Sequence, residues 1–91
     1  MYAKKIKMKY GCRHSNNLQE IDEIYVDGCT NPGFFKKSVL YDFLKKNPGS
    51  IKVYIYPYPN VVPALSSNGE KYVRSESNNI FFDNLLQLPR I

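Results

Sequence analysis

Three tyrosines spaced two residues apart form the pattern in this sequence that best suits a chemical task. Tyr54, Tyr56 and Tyr58 stand at i, i+2 and i+4. On a regular strand they would share one sheet face with Lys52. Aromatic rings flanked by lysines are a common way to hold single-stranded nucleic acid, because bases stack on the rings. The pattern therefore predicts a binding face or, alternatively, rings packed structurally on a partly covered central strand.

A second set of basic residues could add charge to that face. Lysines alternate with apolar residues near the start of the chain, and an arginine lies in the last predicted strand. If the first and third strands are neighbours, we expect these cations beside the tyrosines. Charged edge strands also prevent aggregation, which is the simpler alternative. The candidate binding residues are Lys5, Lys7, Lys9, Lys52, Tyr54, Tyr56, Tyr58 and Arg74.

Two cysteines and a histidine are the residues of this sequence that could bind a metal or act in catalysis. Cys12 and His14 lie in the loop after the first strand, and Cys29 follows the second. A tetrahedral zinc site needs four ligands, the usual Cys-x2-Cys clamp is absent, and successive antiparallel strands close at opposite ends. A Cys12 nucleophile with His14 as its base would lack an orienting third group. We therefore predict no metal, no cofactor and no catalytic residue, hence a protein that is not an enzyme.

Composition sets the broad class of the protein. Ninety-one residues are enough for one small domain, residues 1–91, and the net charge is +5. A basic balance favours nucleic acid, anionic ligands or acidic protein surfaces, although a merely solubilising surface explains it equally well. No apolar run approaches the roughly 20 residues of a membrane span, and no signal peptide is evident. With only two cysteines, the chain is predicted to be reduced and cytoplasmic.

The first half of the sequence predicts two strands and a helix. Residues 3–10 alternate as a half-buried strand, and a second strand covers about 19–26 with a bulge near Asp22 and Glu23. Asn31, Pro32 and Gly33 suit the start of a helix. An amphipathic stripe follows, and the helix ends at Asn47-Pro48-Gly49. The stripe consists of Phe35, Val39, Leu40, Phe43 and Leu44.

The second half predicts two more strands and a short helical turn. Residues 51–56 form a strand, and we expect Pro57, Pro59 and Pro63 to prevent regular pairing after it. Residues 70–75 form the last strand, and Asp83 can cap a turn that contains three leucines. The predicted fold is α+β: a four-stranded, mostly antiparallel sheet with one helix on one face, in the order β-β-α-β-β, and a short C-terminal helical turn.

The closing residues resemble a known family. A strand of the form Gly-x-x-Tyr-Val-Arg-Ser is followed by Asp-Asn-Leu-Leu-x-Leu-Pro. This pattern is similar to that of the small bacterial and phage family catalogued as domain of unknown function 3892. The resemblance implies a similar order of strands and a phage or mobile-element setting, but no activity. The matching positions are Gly69, Tyr72, Val73, Arg74, Ser75, Asp83, Asn84, Leu85, Leu86, Leu88 and Pro89.

These observations leave three functional hypotheses. The first is a non-enzymatic module whose basic, tyrosine-rich face contacts nucleic acid or a nucleoprotein complex, and which in a phage setting could inhibit a host defence system. The second is a small-molecule or nucleotide binder that uses the tyrosines for stacking. The third is a protein-interaction or homodimerising module that uses residues 57–63 and an exposed sheet edge.

Overall fold

The main sheet has four strands, and its central strand β1 lies near the start of the chain. The computed structural model of the protein describes residues 1–76 and 83–91. The strands lie in the order β3-β2-β1-β4. Strand β1 runs antiparallel to β2 and parallel to β4, and β2 is antiparallel to β3. Their bounds are β1 (Tyr2–Met8), β2 (Ile21–Asp27), β3 (Gly33–Lys36) and β4 (Lys52–Val53).

A helix and a hairpin form the second layer. Helix α1 (Lys37–Lys46) contacts β2, β3 and both strands of a hairpin made of β5 (Val61–Leu65) and β6 (Lys71–Ser75). Two 3₁₀ turns, at Leu18–Glu20 and Asn84–Gln87, complete the described structure. No helix among the described residues is long and apolar enough to cross a bilayer.

Alternation along β1 and β2 decides which side chains reach the core. Ala3, Ile6 and Met8 are buried, and Ile24 and Val26 of β2 lie beside them. Lys4 is an extra residue on β1 and Asp22 an extra residue on β2, since the register shifts at both places. The predicted bulge near Asp22 is thereby confirmed. One hydrophobic cluster joins these side chains to Leu40, Tyr41, Leu44, Ile51, Val53, Val61, Val73, Leu85, Leu86 and Leu88.

The α+β class and the four-stranded sheet with one helix are confirmed, but the helix begins later than predicted. Gly33–Lys36 forms β3 because Phe34 and Phe35 pair with Tyr25 and Ile24 of β2. The predicted helix start at residues 31–33 is therefore wrong. Residues 37–46 keep the helical period, and Asn47 ends the helix as expected by donating its side-chain amide to the Phe43 carbonyl.

The predicted strand at 51–56 and the effect of the prolines also need correction. Only Lys52–Val53 forms a strand, and the chain then turns. Pro63 stands inside β5, opposite Val73, although we expected it to prevent pairing. A two-stranded sheet has open edges, and a proline is tolerated where its nitrogen faces such an edge. The last strand, β6, is confirmed, but it pairs with β5 rather than with the main sheet.

The last residues of the chain, residues 83–91, are here named the closing segment, and they pack as a structural part of the domain. The Asp83 carboxylate accepts the Leu85 amide at 2.9 Å, which confirms the predicted cap, and also accepts the Ser75 amide at 3.0 Å. Farther on, the Ile6 amide donates to the Pro89 carbonyl at 2.9 Å. The closing segment thus occupies the edge of β1 beyond the two residues that β4 covers.

Candidate functional site

The side of the main sheet turned away from the core is here called the outer face. Period-2 alternation places polar and aromatic side chains there from all four strands, while their neighbours enter the core. The residues concerned are Tyr2, Lys5 and Lys7 of β1, Glu23, Tyr25 and Asp27 of β2, Phe34 and Lys36 of β3, and Lys52 of β4, with Lys4 at the bulge. The outer face therefore combines rings with five lysines and two carboxylates.

Four tyrosine rings meet at the β4 edge of the outer face, and we name Tyr2, Tyr54, Tyr56 and Tyr58 the tyrosine cluster. The Tyr2 ring lies 5.3 Å from that of Tyr54 and 6.3 Å from that of Tyr58. Tyr58 also lies 6.0 Å from both Tyr54 and Tyr56. The rings are 39% exposed at Tyr2, 53% at Tyr54, 82% at Tyr56 and 43% at Tyr58. The three predicted tyrosines are thus brought together and left open to solvent.

A turn, and not a regular strand, assembles the tyrosine cluster. The Tyr56–Pro57 peptide is cis, and the Tyr58 amide donates to the Ile55 carbonyl at 2.7 Å. Tyr58 has φ of 59°, in the left-handed region that costs a side-chain-bearing residue about 1–2 kcal/mol. Ring contacts within the cluster help to offset that strain, and strained backbone of this kind concentrates at functional sites.

A second pair of rings lies at the other side of the outer face. Tyr25 of β2 and Phe34 of β3 are directly opposite each other, with ring centroids 5.3 Å apart at 74°. We name them the aromatic pair, and both are half-buried. Sequence analysis missed it because residues 33–36 were assigned to the helix start. The signal was present in the adjacent aromatics Phe34 and Phe35, which suit a strand.

Two lysines at the β1 bulge lie over rings of the two aromatic groups. The Lys4 ammonium is 4.9 Å from the centre of the Tyr54 ring and 2.9 Å from the Asp27 carboxylate. That hydrogen bond raises the pKa of Lys4 and lowers the pKa of Asp27. The Lys5 ammonium lies 5.5 Å above the Tyr25 ring. Lys4 is therefore held by a counter-ion, whereas Lys5 contacts an aromatic face.

Two of the predicted binding residues, Lys9 and Arg74, do not lie on the outer face. Lys9 lies beyond β1, and its ammonium reaches Glu70 at 3.1 Å in the hairpin turn. Arg74 lies on β6, which pairs with β5 alone, so it does not share a sheet with the tyrosines. The expectation that these two cations join the face is wrong. Lys5, Lys7 and Lys52 are placed there as predicted, since β1 and β4 are neighbours.

Glu70 connects the hairpin turn to two lysines. Besides Lys9, it accepts the Lys37 ammonium at 3.0 Å, and Lys37 is buried and also donates to the Gln19 carbonyl. The hydrogen bond from Lys37 and then that from Lys9 lower the pKa of Glu70. These charges hold α1, the hairpin and the chain before β2 together, which is a structural role.

The cysteines and the histidine do not form a cluster. The Cys12 thiol donates to the Glu20 carboxylate at 3.1 Å, which raises the pKa of the thiol and opposes thiolate formation. Ser15 donates to the same carboxylate, and His14 is exposed. Cys29 packs against the core elsewhere. Within residues 1–76 and 83–91, no three His, Cys, Asp or Glu side chains are grouped so that they could hold a metal ion.

An apolar groove lies on the opposite side of the sheet. It has a volume of about 240 Å³ and runs between α1 and the inner side of β2 and β3. Val39 and Phe43 of α1, 53% and 36% exposed, form part of its wall, with Phe35 and Cys29 below them. These side chains explain why the predicted helical stripe is only partly buried: Leu40 and Leu44 enter the core, while Val39 and Phe43 border the groove.

Together, the outer face can stack flat rings and neutralise negative charge. Stacking one base on an aromatic side chain contributes about 1–3 kcal/mol, whereas an exposed cation–π contact contributes about 0.5–1 kcal/mol. A flat ring of a ligand can therefore compete with a lysine for an aromatic face.

Comparison with known proteins places the chain among proteins without an assigned activity. The pattern of the family described as "Protein of unknown function (DUF3892)" matches residues 5–89, nearly the whole chain. No curated protein and no solved structure gives a match. The matched range includes the tyrosine turn and most of the closing segment.

Proposed function

The chain belongs to this family of proteins of unknown function, and from its own residues we propose a binding protein, not an enzyme, that holds single-stranded nucleic acid on the outer face. The observation that carries the proposal is the tyrosine cluster, four residues joined by ring-to-ring contacts that remain 39–82% exposed. A cytoplasmic setting is part of the proposal, and two free cysteines agree with it.

Exposure favours binding over a purely structural role for the rings. A ring that only completes the fold is expected to be mostly buried, as Tyr41 is at 7%. Tyr56 is 82% exposed, and its ring contacts only another exposed tyrosine among the described residues. Exposed contiguous apolar patches of this kind commonly mark interaction sites.

The charge around the rings favours an anionic ligand. Asp27 is neutralised by Lys4, and Asp22 lies 3.8 Å from the Lys36 ammonium. Lys5 approaches an aromatic ring, and Lys52 a neutral amide oxygen at 3.2 Å. These two ammonium groups can reach a phosphate without breaking an ion pair seen here.

Titration with unlabelled oligodeoxythymidylates tests the proposal. The protein has eight tyrosines and no tryptophan, so base stacking can be followed as quenching of tyrosine fluorescence. Tyr56→Ala should weaken binding by about 5- to 150-fold, the equivalent of one stacked base. Tyr10→Ala, at a fully exposed tyrosine outside the cluster, is the matched control and should leave affinity unchanged. Absence of binding by the unaltered protein at about 50 mM salt would contradict the proposal.

Salt dependence tests the phosphate contacts separately. Each phosphate neutralised adds about 0.7 to the slope of log affinity against log salt for a single strand. Lys5→Ala should reduce that slope, and Lys46→Ala, on α1 in the other layer, should not. Equal slopes for both variants would remove Lys5 from the binding face.

Two alternative ligands, a single nucleotide and a protein or nucleoprotein partner, can be detected by related experiments. A single nucleotide would raise the melting temperature at millimolar concentration without any need for an oligonucleotide. A protein or nucleoprotein partner, including one from a host defence system, would be retained from a lysate, and nuclease treatment separates the two cases. Light scattering checks the third hypothesis, that the chain forms a homodimer.

A further inference from the structure

We propose that the single strand crosses the four strands of the main sheet, from the tyrosine cluster at β4 to the aromatic pair on β2 and β3, with Lys5 contacting a phosphate between them. This inference rests on the proposed function. It adds a second stacking point, Tyr25 with Phe34, and a path for the nucleic acid across the sheet. The site would then select a short segment of several nucleotides and not a single base.

The distance between the two aromatic groups fits such a segment. Both lie on the outer face, and β4 and β3 are separated by three inter-strand spacings, about 14 Å in all. Stacked nucleotides rise about 3.4 Å each along a strand. About four such steps are needed to reach from the β4 edge, where Tyr54 follows the strand, to Phe34 on β3, so a segment of about four to five nucleotides spans this width. A dinucleotide covers only part of it.

The lysines of the β1 bulge lie between the aromatic groups, where the backbone of the nucleic acid would pass. Lys4 contacts a ring of the tyrosine cluster and Lys5 a ring of the aromatic pair. Because Asp27 holds Lys4 at 2.9 Å, Lys5 is the ammonium that can turn to a phosphate. Its departure from the Tyr25 ring opens that aromatic face to a base at the same moment.

A path along the strands is less favourable than a path across them. Toward the other end of β1, the outer face carries Lys7, Glu23 and Lys36 side by side, with Glu23 paired in register to both lysines. A nucleic acid running along β1 in that direction would meet a carboxylate and no aromatic ring among these three positions. A nucleic acid that runs across the sheet meets aromatic rings at both sides and ammonium groups in the middle.

Affinity as a function of oligonucleotide length tests the path. For the unaltered protein, affinity for oligodeoxythymidylates of one to eight nucleotides should rise to about four nucleotides and then level off. Tyr25→Leu keeps an apolar side chain but removes the ring, and it should weaken binding of tetranucleotides and longer oligonucleotides by about 5- to 150-fold. The same variant should bind dinucleotides as the unaltered protein does, while Tyr56→Ala loses affinity at every length.

The outcomes distinguish this inference from the proposed function. If no oligonucleotide binds to the unaltered protein, the proposed function fails and the path with it. If oligonucleotides bind but Tyr25→Leu matches the unaltered protein at every length, the path is overturned while the proposed function stands. Phe34→Leu, at the other ring of the pair, should give the same length-dependent loss, and Tyr10→Leu is the control for both.

Photo-crosslinking of the unaltered protein gives the answer even if these variants fail to fold. A tetranucleotide carries 5-iodouracil at one end or at the other, and crosslinked peptides are identified by mass spectrometry. One end should react with Tyr56 or Tyr58 and the opposite end with Tyr25 or Phe34. Crosslinks from both ends to the tyrosine cluster alone would overturn the crossing path.

Discussion

The closing segment and the tyrosine cluster both contact β1, but the leucines of the first are buried and the tyrosines of the second are exposed. Leu85, Leu86 and Leu88 are at most 8% exposed, whereas no ring of the tyrosine cluster is less than 39% exposed. Both regions fall largely within residues 5–89, which match the family pattern. The comparison teaches that the core requires the leucines of the closing segment, while the exposed rings are free to contact something else.

Removal of the closing segment should have the largest effect. A chain that ends before Asp83 loses three buried leucines, each contributing about 1.5–3 kcal/mol, and the main-chain bonds to Ile6. That loss is comparable to the whole stability of a typical domain, about 5–15 kcal/mol. We expect no cooperative thermal transition by circular dichroism. A truncated chain that still melts cooperatively would show that the segment is dispensable.

Two leucines allow the same comparison without truncation. Leu85 is fully buried, and Leu85→Ala should cost about 2–5 kcal/mol. Leu65, 55% exposed at the end of β5, is the matched control, and its change to alanine should stay within about 0.5 kcal/mol. Denaturant unfolding measures both, and equal costs would remove the contrast.

Asp83 should show the next largest effect. Asp83→Ala removes the acceptor for the Leu85 and Ser75 amides, so we expect a loss of about 1–3 kcal/mol. Asp42→Ala removes an exposed ion pair to Lys71 and should cost about 0–1 kcal/mol. Urea unfolding of the two variants distinguishes a structural cap from an ordinary surface carboxylate.

Acidification should affect the structural charges in a defined direction. Lys37 and Lys9 lower the pKa of Glu70 below its ordinary value of 4.5, so ionised Glu70 stabilises the folded state above that pH. This contribution is lost as the pH falls through the lowered pKa. The difference in melting temperature between the unaltered protein and Glu70→Gln should therefore shrink below about pH 4.5. Glu76→Gln, an exposed control, should show a smaller difference, and a constant gap for Glu70→Gln would contradict this.

The smallest stability effect should come from the tyrosine cluster. Tyr56 is 82% exposed, so Tyr56→Ala should change the free energy of unfolding by no more than about 0.5 kcal/mol. Thermal and urea unfolding check this value. A loss of several kcal/mol would mean that the ring is structural, and the comparison with the closing segment would no longer hold.

Much of the fold could be predicted because local patterns agree with the final packing. Alternation defines β1, the break in alternation at Asp22 and Glu23 indicates the bulge in β2, Asn47-Pro48-Gly49 ends α1, and Asp83 caps the last turn. The errors occur where pairing partners decide the structure. Phe34 lies directly before the predicted helical stripe and Phe35 begins it, but the two residues pair with Tyr25 and Ile24 of β2. This pairing cannot be predicted from local sequence.

The candidate site was predictable only in part for the same reason. The spacing of Tyr54, Tyr56 and Tyr58 indicated a shared face, although a turn brings the rings together and a strand does not. Tyr2 and Tyr25 lie on the outer face because of how the strands pair, so local sequence spacing does not predict their position. Lys9 leaves the face because Glu70, sixty-one residues away, is its partner.

The shared edge of β1 has a consequence for how the protein is made. The Ile6 amide and carbonyl are paired with Pro89 and Ile91, so a strand synthesised early receives its last partner only after eighty more residues. Contacts of such long sequence separation slow folding, and they cannot form while their second half is still inside the ribosome. The edge of β1 beyond β4 therefore stays unpaired until the closing segment has left the ribosome.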